Sequence, residues 1–157
     1  MEQQQTDRVE LVHEPVREAA VRRFEVDIAR VGEQMGPAFG DVAGFLSRRG
    51  LSMTGGALAH YSVRADGMEA AAGFEVAEAV EGGDGVESFT LPEVDAVSTV
   101  HVGPYDQLVA AYAAVHAYAA AVGRTLDESR MWEEYLTGPE ALPDQMRTRV
   151  VWPLVPA

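Results

Sequence analysis

Apolar positions follow a period of two in some stretches of the chain and about 3.6 in others, the two spacings that separate strands from helices. Val9–His13 sets Val9, Leu11 and His13 against Glu10 and Val12, a strand pattern. After Pro15, Arg17–Val26 also reads as a strand, with the parity of Ala20, Arg22 and Phe24 left open. Ala38–Arg49 reads as a helix, because Phe39, Val42 and Leu46 recur at spacings of three and four. Pro37 suits its first turn and Gly50 its end. A start further back, near Ile28, would make Gly36-Pro37 an interruption. Strands are expected at Met53–Tyr61 and Met68–Val76, turning at Ala65-Asp66-Gly67, and Glu81–Gly85 reads as a flexible link.

The pattern then starts again. Val86–Leu91 and Asp95–Val102 are expected strands, and Gly103-Pro104 opens a helix with Leu108, Tyr112, Val115, Ala119 and Val122 on one face. Gly123 ends it. Met131–Leu136 (MWEEYL) is the next strand, Gly138-Pro139 and Leu142-Pro143 punctuate a loop, and Gln145–Leu154 is the last strand. Each half runs strand, helix ending in glycine, then two strands. Aligning the two glycines brings Tyr61 opposite Tyr135 within one residue; the low identity leaves duplication open. A true repeat would set the two tyrosine strands near each other, with a ligand groove between the halves.

Composition narrows the function classes. The 157 residues fit one domain, and 47% hydrophobic content excludes a disordered acidic chain. Acidic residues outnumber lysine and arginine 25 to 12, giving a net charge of −13. Phosphate backbones are bound chiefly through lysine and arginine, so direct nucleic-acid binding is not expected. The absence of cysteine removes disulfides, thiolate metal sites and thiol nucleophiles, and agrees with a cytoplasmic location. Residues 1–7 read as a flexible polar leader without a signal sequence, and no apolar run is long enough for a membrane span. Phosphate-loop, dinucleotide, zincin and nucleophile-elbow motifs are missing. His13, His60, His101 and His116 lack metal-ligand spacing and read as structural or solvent-facing, so no metal is expected.

Candidate chemistry concentrates in MWEEYL. Strand parity puts Met131, Glu133 and Tyr135 on one face, and Trp132, Glu134 and Leu136 on the other. Both glutamates could be solvated on a half-exposed strand, or one could be the polar anchor of an apolar pocket. The turn Val100-His-Val-Gly-Pro-Tyr105 leads into the second helix and reads as a tight turn. The aromatics Tyr61, Tyr105, Tyr112, Tyr118, Tyr135, Trp132 and Trp152 are enough to line a cavity.

The succession of VHVGPY, a helix, WEEYL followed by Gly138-Pro139, and a final MRTRVVWPL resembles the GyrI-like (gyrase-inhibitor-like, AraC-type effector-binding) domain family. The matching residues are His101, Gly103 and Tyr105, then Trp132, Glu133, Tyr135, Gly138 and Pro139, then Thr148, Pro153 and Leu154, so the resemblance spans about residues 8–155. Gly138 departs from the aspartate common there. The resemblance implies an α+β fold: a single domain of two pseudo-symmetric β-α-β-β repeats, about 8–80 and 86–155, with antiparallel sheet and two main helices around a central ligand groove. It implies a small-molecule ligand, cationic or amphipathic, opposed by Glu133 beside Tyr135; the glycine alignment adds Tyr61, and Trp132, Tyr105 and Tyr112 are further ligand-binding candidates among the aromatics.

Three functions are compatible with that resemblance. The first is a stand-alone protein that senses or sequesters a small molecule, with no helix-turn-helix segment ahead of residue 8. The second is a hydrolase opening cyclopropane rings of DNA-alkylating natural products, with Glu133 as general base and Tyr135 or Tyr61 as hydrogen-bond donor. The third is a DNA gyrase-interacting protein whose acidic surface imitates nucleic acid. None of them calls for a metal or an organic cofactor, and the oligomeric state stays open.

Overall fold

In chain order the elements are β1 (Glu10–Glu14), β2 (Arg17–Glu25), α1 (Val31–Arg49), β3 (Met53–Arg64), β4 (Gly67–Val76), β5 (Glu87–Leu91), β6 (Val94–Val102), α2 (Leu108–Ala121), β7 (Arg130–Tyr135) and β8 (Arg147–Pro153). The computed structural model describes residues 8–138 and 140–156. The leader 1–7 and Pro139 of the Gly138-Pro139 turn lie outside the described residues. The fold is α+β, and the strands pair antiparallel.

The chain forms two compact units, one of Pro15–Glu93 and one of Met1–Glu14 with Val94–Ala157. In the Pro15–Glu93 unit the strand order is β3-β4-β2-β5. Helix α1 packs on β2 and β4, and its buried Val42, Phe45 and Leu46 meet Ala20, Val76 and Val86. In the other unit the order is β1-β6-β8-β7. There α2 packs on β6 and β8, joining Leu108, Ala111, Val115 and Ala119 to Val97, Val150 and Leu154.

The expected repeat is present as topology. β2-α1-β3-β4 and β6-α2-β7-β8 run in the same order, and each is completed by an edge strand from elsewhere. Those edge strands correct the expected halves of 8–80 and 86–155. β5 pairs with β2, and β1 pairs with β6, so β1 belongs to the later unit and β5 to the earlier one. Side-chain patterning sees which face a strand buries but not which neighbour completes its backbone hydrogen bonds.

Three differences in the elements have local causes. Helix α1 begins at Val31, behind a turn that starts at Ile28, and includes Pro37, so the earlier of the two expected starts holds rather than Ala38. Its buried residues are Ala38, Val42, Phe45 and Leu46, so the preceding turns leave no apolar period to read. A 3-10 turn at Ile28–Arg30 starts the helix, with the Asp27 side chain accepting from the Ala29 N–H. The Gln34 side chain braces it by accepting from the Asp27 N–H at 2.9 Å and donating to the Glu25 carbonyl at 2.8 Å. The exposed side of α1 carries Gly32, Gly36 and Gly40, at each of which an added Cβ would meet nothing within 4 Å.

Secondly, Glu81–Gly85 is not a loose link. Gly83 and Val86 exchange two backbone hydrogen bonds of 2.9 Å, and Asp84 and Gly85 both take positive φ (54° and 81°), the tight hairpin turn that Asp-Gly favours. Thirdly, α2 begins at Leu108 rather than at Gly103-Pro104, behind a 3-10 turn at Tyr105–Gln107. Val122 is 41% exposed and lies off the buried face.

Candidate functional site

Three adjacent strands, β6, β8 and β7, present polar side chains on the face that α2 covers. Cross-strand register places His101 opposite Thr148, and Thr148 opposite Tyr135. In the next row Thr99 is opposite Val150, and Val150 opposite Glu133. Directly paired residues share a face, so His101, Thr148, Tyr135 and Glu133 stand together. Val150 in the same set belongs to the α2 core, which identifies the face.

Glu133 is 3% exposed. Tyr135 donates its hydroxyl to Glu133 Oε1 at 2.8 Å, and Tyr112, from the middle of α2, donates to Oε2. Strand parity makes the first contact possible, since residues two apart on β7 point the same way. Burial pushes the Glu133 carboxyl above the ordinary range, while the two tyrosine hydroxyls and the nearby His101 imidazole pull the other way. Tyr105, 46% exposed on the turn before α2, meets Tyr135 edge to face at 5.7 Å between ring centroids. Its phenol is also pushed upward, by burial and by the Glu133 carboxylate.

A raised carboxyl has a stability consequence. Its folded-state pKa lies above the unfolded one, so folding favours proton uptake. The stability this group contributes is full below the ordinary carboxyl range and is lost as pH rises through the raised value. Above the ordinary carboxyl range, where the unfolded chain is already ionised, burying Glu133 therefore costs stability. Glu133→Gln keeps the shape without the charge and is expected to be more stable than the wild type at neutral pH. The advantage should shrink toward about pH 4, the unperturbed carboxyl range. Urea midpoints at acid and neutral pH measure this, and an advantage unchanged by pH would contradict it.

Of the six sequence-selected residues, the structure brings Glu133, Tyr135, Tyr112 and Tyr105 together. Trp132 is elsewhere: parity sends it to the opposite face, where it is fully buried and donates Nε1–H to Glu134 at 3.0 Å. On that face Arg149 is held by Glu14 at 2.6 Å and Glu134 at 3.1 Å. Burial opposes its charge, but the two glutamates outweigh that and hold it firmly protonated. Neither glutamate of MWEEYL is simply solvated. Tyr61 lies on β3 in the other unit, opposite Ala70, which is itself opposite Phe24.

That row explains what the glycine alignment detected. Phe24, Ala70 and Tyr61 take the positions of His101, Thr148 and Tyr135. Phe24 and His101 each stand four residues before the 3-10 turn that leads to the helix. Two residues before each tyrosine stand Ala59, fully buried, and Glu133. The fold is repeated, whereas the polar set belongs to one unit. Sequence reasoning passed over His101 and Thr148 as site residues, although both lie in the quoted motifs; the missing signal was register, which places them side by side.

Where β6 ends, an open cleft of about 600 Å³ is lined by Val102, Gly103, Pro104, Gln107, Pro143 and Asp144. Among the described residues no group of three or more His, Asp or Glu could hold a metal ion, and no helix is long and apolar enough to cross a membrane.

The GyrI-like small molecule binding domain family matches residues 8–155. Among solved structures, the EcmrR C-terminal domain is similar with a TM-score of 0.77 at 19% identity, covering 96% of this chain and 99% of that one. EcmrR in a DNA complex gives a TM-score of 0.75 at 19% identity over 96% of this chain and 57% of that one. A hydrolase from Listeria innocua gives 0.68 at 16% identity, covering 95% and 92%. SAV2435 bound to tetraphenylphosphonium gives 0.62 at 15% identity, covering 94% of each chain. At these identities the likeness is one of fold. Comparison with curated protein sequences gives no significant match.

Proposed function

The chain belongs to the GyrI-like small molecule binding domain family, and we propose that it binds a cationic or amphipathic small molecule with Glu133 as the opposing charge. The observation that carries this reading is the burial of Glu133 against two tyrosine hydroxyls. Burying a carboxylate costs several kcal/mol, roughly, unless a positive charge accompanies it. An arriving cation removes that penalty, and the faces of Tyr105, Tyr112 and Tyr135 add about 0.5–2 kcal/mol of cation–π attraction. Tetraphenylphosphonium, the ligand of SAV2435, is a lipophilic cation of this class. The function would be sensing or sequestration, and the net charge of −13 argues against direct nucleic-acid binding by this chain.

The test is calorimetry with tetraphenylphosphonium and a neutral tetraphenyl analogue. Glu133→Gln is expected to weaken the cation about tenfold or more, a loss of at least about 1.4 kcal/mol, and to leave the neutral analogue nearly unchanged. Equal losses for both would reject the reading. A second reading is favoured by one observation: a carboxyl raised by burial is suited to proton transfer. In that reading Glu133 is the general base of a hydrolase, Tyr135 the hydrogen-bond donor, and the substrate a cyclopropane-bearing alkylating natural product. Turnover lost in Glu133→Gln while substrate binding survives would establish it over simple binding.

A further inference from the structure

Two buried polar atoms on the Glu133 face make no hydrogen bond among the described residues: His101 Nδ1 and Thr148 Oγ1. Their side chains are directly opposite one another across β6 and β8, and His101 and Thr148 are 3% and 0% exposed. The tautomer of His101 follows from its other nitrogen. Nε2 lies 3.1 Å from the Pro104 carbonyl, which can only accept, so Nε2 carries a hydrogen, and in the singly protonated ring Nδ1 is then a bare acceptor. A buried acceptor without a donor is destabilising.

The repeat provides an independent control. At the matching positions of the other unit stand Phe24, Ala70 and Ala59 in place of His101, Thr148 and Glu133. The same strand-helix-strand-strand scaffold is thus completed with apolar side chains at all three positions. The architecture itself does not require polar groups there.

We infer that Glu133, His101 Nδ1 and Thr148 Oγ1 form a subsite for a cation bearing N–H donors, a protonated primary amine, rather than for a fully alkylated cation. Three acceptors from three adjacent strands match the three N–H groups of an ammonium. Charge goes to the carboxylate, and the second and third N–H bonds satisfy atoms that otherwise have no partner. A trimethylammonium offers no donor and could be held only by charge and the aromatic faces. The inference rests on Glu133 as counter-charge and names the ligand class it would select.

Calorimetry on the full chain with naphthylmethylammonium and its trimethylated analogue tests it. The wild type is expected to bind the primary ammonium at least about tenfold more tightly. His101→Phe, which installs the residue of the other unit, should reduce that preference to within about threefold, the primary ammonium losing far more affinity than the trimethylated probe. Thr148→Val, close in shape, should reduce the preference in part, and it decides the matter if His101→Phe does not fold. No preference in the wild type, or equal losses for both probes in the folded variants, would overturn the inference while leaving Glu133 as counter-charge. Failure of both probes to bind the wild type would instead overturn the charge reading, and this inference with it.

Discussion

Gly73→Ala is expected to destabilise the Pro15–Glu93 unit by about 3 kcal/mol or more, enough to prevent folding in a marginal background. Gly73 is in β4, opposite Val21 of β2 and Leu58 of β3. A Cβ at this position would lie 1.8 Å from the Ala20 carbonyl oxygen and 2.8 Å from the Ala20 carbonyl carbon and Val21 Cα. All three are backbone atoms, so no side-chain rotation relieves the clash. β2 would have to move away, taking with it Ala19, Ala20 and Val21, which are fully buried. Urea unfolding of the variant beside the wild type measures the loss. A midpoint within error of the wild type would mean that β2 yields far more easily than a packed strand should.

Arg149→Met is the second large effect, with an expected loss of about 3–5 kcal/mol and a fall in Tm on the order of 10 °C. Arg149 lies between Glu14 and Glu134 with its side chain 21% exposed, against 8% and 16% for the glutamates. Methionine keeps much of the volume but removes the cation, so two poorly hydrated carboxylates lose their common partner. Glu14 ends β1, and its tie to β8 is therefore lost as well. The damage should come from the carboxylates rather than from the missing guanidinium. Adding Glu14→Gln and Glu134→Gln to Arg149→Met should recover much of the stability. Thermal melts of the single and triple variants decide this: no recovery in the triple variant would assign the loss to packing instead.

Much of the architecture was legible because amphipathic period is a direct record of burial. Val97, Val150, Leu108 and Val115 face a core, and their spacing shows it. Parity alone separated Glu133 from Glu134, and the two contacts within β7 follow that separation. Other features left no such record. The first turns of α1 bury nothing, so no period announced them. Edge strands β1 and β5 are placed by backbone hydrogen bonds that side chains do not encode. Trp132 was grouped with Glu133 for its aromatic character, although parity already put it on the opposite face. His101 and Thr148 were visible as motif residues, but their neighbourhood depends on the register of β6 with β8. Arg149 and Glu14 are 135 residues apart, and nothing local links them.

The two helices differ in a way that bears on motion. α2 is alanine-rich through its length, whereas α1 carries glycine at positions 32, 36, 40 and 44 and a proline at 37. Each glycine lowers helix propensity by about 1 kcal/mol relative to alanine, so α1 holds its form mainly through Val42, Phe45 and Leu46 at its later turns. Its first two turns, which bury no side chain before Ala38, then form a segment able to open without unfolding the sheet beneath it. Amide protons there should exchange by local fraying, whereas those of α2, whose Tyr112 holds the buried carboxylate, should be released only in larger openings.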